Sequence, residues 1–133
     1  MIDALALAIA YVHASAPDGL GVEPALTVNI IEKLPVAVVS ASAPSSVSNG
    51  PLEASSAFTV AVSVYAGSRG EAARMAGDLF DGCLRHWRSR LVTEFGWFSR
   101  ITHGSRHPSH VRSDLEADGT YRVDFALDVI ARN

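Results

Sequence analysis

The chain gathers most of its imidazoles in one segment, HGSRHPSH at 103–110, where His103, His107 and His110 stand four and three residues apart. On a helix that spacing would bring the three rings to one side, where neutral ring nitrogens can ligate a metal. Gly104 and Pro108 interrupt such a helix, and no Cys, Asp or Glu inside the segment completes a ligand set. The segment therefore reads as a solvated, partly basic loop in preference to a metal centre, and no cofactor is expected. A serine nucleophile fares no better. None of the serines stands in a G-x-S-x-G turn, of which 104–106 is a fragment. Asp124 and Asp128 alternate with Arg122 as the wet face of a strand does, and Gly67, Gly70 and Gly77 fit neither phosphate-binding glycine spacing. No catalytic residue is assigned, and the chain reads as a non-enzyme; a small hydrolase or metal enzyme built on 103–110 is the contrasting class.

The basic and aromatic residues say more. Arg85, His86, Arg88 and Arg90 crowd one stretch, and Arg100, Arg106 and Arg112 follow. Cations at a helix C-terminus complement its dipole, which accounts for the first group; the functional reading is a basic patch for an acidic partner or a nucleic-acid backbone. Trp87 falls at helical spacing with core residues. Trp97 and Phe98 are neighbours in a strand candidate and point to opposite faces, so a one-sided sheet cannot bury both, and one is expected to face a partner. Tyr65, on the opposite strand face from Val64, is expected to do the same.

The elements that must position these groups centre on residues 57–91. Phe58, Val60, Val62 and Val64 alternate with small or polar residues, the period of a strand with one buried face. Ser68 and Glu71 then form an S-x-x-E capping box. Ala72, Met75, Ala76, Leu79, Phe80, Cys83, Leu84 and Trp87 recur at three- and four-residue steps, predicting a long amphipathic helix. Ahead of it, Ile2, Leu5, Ile9 and Val12 mark one face of a first helix over 2–14, ended by Pro17-Asp18-Gly19. Residues 20–24 read as a connector, 26–33 as a strand carried by Thr27, Val28, Ile30 and Ile31, and 36–42 as a second strand that Pro35 leads into. The polar stretch 43–56 reads as a functional loop or an extended hairpin tip. After the long helix, Gly96 is placed near its C-cap, 97–102 is an aromatic strand, and Asp118-Gly119 signals a hairpin turn. Tyr121, Val123, Phe125, Leu127 and Val129 then give the cleanest alternation in the chain. The grouping predicts an α+β fold, a mainly antiparallel sheet with one long and one shorter helix on one face, as one domain over 1–133.

Composition limits the function classes. With 48% apolar and 19% charged residues the chain has the balance of a folded domain rather than a disordered one. A net charge of −3 gives no general attraction to nucleic acid or acidic membranes, so such contact would need a local patch. The single cysteine, Cys83, sits on the apolar helix stripe and reads as core, a usage that fits a reducing cytoplasm. The apolar run 4–12 lacks the basic start of a signal peptide and is shorter than a membrane span, so it is expected to be structural.

The sequence VSVYAGSRGEAARMAGDLFDGCL at 62–84 resembles the strand, "A-x-S/T-R-x-E-A" and helix segment of tail terminator and tail completion proteins of long-tailed bacteriophages. The order of elements is similar to theirs, while 92–118 is unusually extended. The resemblance implies a non-enzymatic virion protein, assembled in the host cytoplasm as a homo-hexameric ring on the head-proximal end of the tail tube. There it would end tube polymerisation and present a docking surface to the head–tail connector. Its implied partners are itself, the tail tube protein and the connector, with a passing contact with phage DNA in the ring lumen and no membrane. Another phage neck component of similar fold is the alternative. The candidate partner-binding positions are Ser45, Ser46 and Val47 in the polar connection, Tyr65, Trp97, and Arg106, His107, His110 and Arg112.

Overall fold

Asp3 opens the first helix, its carboxylate accepting from the Ala6 N–H at 3.0 Å, and the computed structural model describes residues 2–25, 30–47, 55–102 and 104–132. Helix α1 (Ala4–Ser15) contains no Asp, Glu, Lys or Arg. Its buried residues are Ala4, Leu7, Ala8, Tyr11, Val12 and Ser15, so the face predicted from Ile2, Leu5, Ile9 and Val12 is corrected: Leu5 points outward. Because the helix is apolar nearly all round, periodicity does not select its inner face. The turn at Asp18 and Gly19 follows as expected, Gly19 taking φ +87°.

Residues 20–24 are more than a connector, since β1 (Gly21–Glu23) pairs in parallel with β2 (Val36–Ala41) from Gly21 opposite Val36. The strand expected over 26–33 is not formed by its described part. Ile30–Lys33 make a 3-10 turn, and Thr27 and Val28 lie outside the described residues. The neighbours of β2 are already supplied by β1 and β4 (Ser56–Ala66), which leaves Ile30 and Ile31 without a ladder on it. Pro35 precedes β2 directly, the position a residue without an N–H tolerates. Past Ser42, whose hydroxyl accepts from the Thr59 N–H at 2.8 Å, β3 (Ser45–Ser46) continues beside β4.

Helix α2 (Arg69–Arg88) begins where the capping box predicts, the Ser68 hydroxyl accepting from the Glu71 N–H at 3.2 Å. It ends earlier than the Gly96 expectation. Ser89 is the C-cap, the Arg90 N–H reaches the Trp87 carbonyl and the Leu91 N–H the His86 carbonyl, both Schellman bonds, with Arg90 at φ +62°. Gly96, at φ +127°, instead turns the hairpin between β5 (Val92–Thr93) and β6 (Gly96–Ile101).

The histidine segment is corrected too. From Arg106 onward it belongs to β7 (Arg106–Val111), an edge strand with a register shift between Arg106 and Ser109, where Pro108 does not cost a ladder bond. Gly119, at φ +80°, closes a 3-10 turn over Asp114–Asp118 rather than a two-residue hairpin, and leads into β8 (Tyr121–Arg132). The sheet order is β1-β2-β4-β8-β6-β5, with β3 beside β4 and β7 beside β8.

Both helices cover one face of this sheet. Leu7 and Tyr11 of α1 and Met75, Leu79, Phe80 and Cys83 of α2 join Val60, Val62, Val64, Val123, Phe125 and Leu127 in one core. Phe98 is the inward member of the Trp97–Phe98 pair, its ring 4.2 Å from Tyr11 and 6.2 Å from Phe58. The helices approach closely at Gly82, where a Cβ would lie 2.6 Å from the Ser15 carbonyl oxygen. The α+β class is as the sequence implies. No described helix is long and apolar enough to cross a membrane.

Candidate functional site

The two described histidines of the 103–110 segment are occupied separately. His107, exposed on β7, makes a tilted ring contact with Phe80, centroids 5.0 Å apart, and Phe80 in turn meets Phe125 edge-on. His110 lies between Arg69 and Glu116: the guanidinium is 3.2 Å from Nδ1, and Nε2 is 2.7 Å from the carboxylate. This ties the start of α2, β7 and the Asp114–Asp118 turn together. His103 lies outside the described residues, and among those described no three His, Cys, Asp or Glu groups gather as a metal site.

A second pair escaped the sequence. Ser15 Oγ and His86 Nδ1 are 3.0 Å apart, but Nδ1 is also 3.0 Å from the Gly82 carbonyl and the Ser15 hydroxyl donates to the Tyr11 carbonyl at 2.9 Å. With a carbonyl on one side, Nδ1 is the donor, so His86 does not act as base toward Ser15. The pair joins the ends of two helices. The strand carboxylates are likewise engaged: Arg122 binds Asp124 through two bonds of 2.8 and 2.7 Å, and Asp128 accepts from Thr59 at 2.7 Å. The Asp124 hydrogen bond holds Arg122 more firmly protonated than usual.

Of the predicted partner-facing residues, Tyr65 is corrected. It is 4% exposed, packed with Val36 against Leu34, Val38 and Leu115, because the segment after β7 folds back over that end of the sheet's second face. Ser45 and Ser46 are exposed on β3 and Val47 is half-buried; Arg106 and Arg112 are exposed on and just past β7. Trp97 is half-buried and lines a surface cavity with Trp87, Arg88, Arg90 and Arg132. These positions do not form one site: β3 and β7 flank opposite sides of the β4–β8 pair.

The surface that sequence reasoning missed is the outer side of α1. The exposed large hydrophobic residues among those described are Leu5 at 41%, Val92 at 66% and Phe95 at 40%. Ala6, Ile9, Ala10 and His13 form an open groove with Phe95 from the β5–β6 hairpin, and Leu5 adjoins it one helical turn before Ile9. The signal available was a twelve-residue helix without a charged residue, since a surface helix normally carries a polar outer face. No family model matches the chain, and no curated protein does.

Proposed function

We propose that this protein is a structural subunit of a long-tailed bacteriophage, forming a ring that caps the head-proximal end of the tail tube and docks the head connector. The observation that carries the reading toward assembly is the uncharged outer face of α1 with Phe95 and Val92 beside it. An apolar surface of this kind rimmed by polar residues is the usual mark of a protein contact. In the proposed ring its occupant is a second copy of the chain. A closed ring joins two different faces head to tail; the α1 groove supplies one of them. The strand edges contribute little to assembly. Among the described residues β1 and β5 span three and two residues, and β7 carries Pro108 and a bulge, which are features that discourage edge pairing.

The function as a tail cap rests on the resemblance of 62–84 and on the matching order of elements. Sedimentation over a concentration series tests the assembly step. The wild-type chain is expected to associate, and Leu5→Glu with Phe95→Glu, both exposed and so compatible with folding, are expected to weaken association at least about tenfold. Unchanged association of the double variant would reject this face.

A further inference from the structure

The chain has two tryptophans, and both line one cavity at the end of α2. Trp87, Arg88 and Arg90 come from the helix terminus, Trp97, Phe98 and Ser99 from β6, and Arg132 from the end of β8. The cavity measures about 470 Å³, within the range of small-ligand sites. Arg132 stands directly opposite Trp97 across the β6–β8 ladder. Among the described residues no carboxylate pairs with Arg88, Arg90 or Arg132, and the one guanidinium stacked on a ring is Arg122, elsewhere on the sheet. Three cations and two half-buried indoles thus meet with no internal partners for the charges.

Attraction of cations to the helix terminus explains Arg88 and suits Arg90, but not Arg132. Arg90 holds the left-handed position of the Schellman motif, φ +62°, where glycine is the usual occupant. Arg132 belongs to a strand, and no helix dipole explains it. We propose that this cavity binds a nucleotide unit, its base stacked on an indole and its phosphate held by the arginines. An acidic peptide would use the cations and leave the indoles without a role. Duplex nucleic acid would offer phosphates but keep its bases stacked internally, whereas a single strand or a free nucleotide presents both groups together. The proposal does not depend on ring assembly.

Because the two tryptophans lie in the cavity, intrinsic fluorescence reads the site directly. The full chain is titrated with oligothymidylate, thymidine monophosphate, a duplex of equal length and polyglutamate. Saturable quenching by oligothymidylate or the mononucleotide upholds the proposal, and the tighter of the two identifies the source as strand or free nucleotide. Trp97→Ala is expected to weaken binding roughly 5- to 150-fold. Arg88→Gln and Arg132→Gln, both on exposed side chains, are expected each to lower the salt dependence of oligothymidylate binding by a slope of about 0.7. These arginine variants keep the test valid if Trp97→Ala misfolds. Quenching absent with both nucleotide probes, polyglutamate or duplex binding at least as tightly, or arginine variants that bind like wild type would each overturn it.

Discussion

Burial pushes the Cys83 thiol from 9.0 up to about 12, the neighbouring Ser15 side chain offsetting only part of the shift. The Tyr11 hydroxyl is raised as well, by burial and then by Cys83. A thiolate is the reactive form, so Cys83 is expected to resist thiol reagents in the native protein and to react on unfolding; rapid labelling of native protein would contradict its place in the core. The sign of the pH effect follows from the same shift. The folded thiol holds its proton more tightly than the unfolded one, so its stabilising contribution is complete below pH 9.0 and is lost as pH rises toward about 12. Denaturation midpoints are expected to fall over that window, and less steeply in Cys83→Ala. At this scale much was readable from types and spacing. Cys83, the Ser68–Glu71 cap and the inward Phe58 to Val64 alternation follow from period and propensity alone. Tyr65 did not, because what covers it is Leu115, fifty residues on, and no local pattern reports a contact at that separation.

The elements divide according to whether their pattern has one solution. β4, α2 and β8 each have a single apolar face, and β4, β8 and the start of α2 form close to where the sequence places them. α1 is apolar nearly all round, so its existence was legible and its orientation was not. β7 was hidden by Pro108, a residue that reads as loop until a neighbouring strand shows that it falls at an edge and a bulge, while Gly104 does lie in the turn before the strand. Ile30 and Ile31 sit in a segment with strand-forming composition and no free ladder. The end of α2 belongs to the same class, since the Schellman turn uses Arg90 where a glycine signal was sought, and Gly96 drew the boundary too far along. This geometry makes a prediction about the cap. Arg90→Gly is expected to relieve the left-handed strain and raise stability by up to about 1 kcal/mol, measured as a higher denaturation midpoint, while weakening the nucleotide site. A destabilised variant would contradict the account of the cap.

For the molecule as a whole, the fold distributes its surfaces unevenly. One face of the sheet is closed by both helices, and the polar groups that could suggest chemistry are engaged in holding the fold together: His110 with Arg69 and Glu116, His86 with Ser15, Asp128 with Thr59. What remains outward is the uncharged side of α1 beside Phe95 and Val92, and the tryptophan and arginine cavity at the far end of α2. The first suits a neighbouring copy and the second a nucleotide. Neither was legible from motifs, because each is assembled from separate elements, α1 with the β5–β6 hairpin in one case and α2 with β6 and β8 in the other. The central claim is that copies of this chain close a ring on the end of a tail tube. Electron microscopy of the protein mixed with a polymerised phage tail tube protein tests it most directly. The account predicts a ring at one end of each tube and shorter tubes when the protein is present during polymerisation. Monomers that leave tube ends bare and tube lengths unchanged would contradict it.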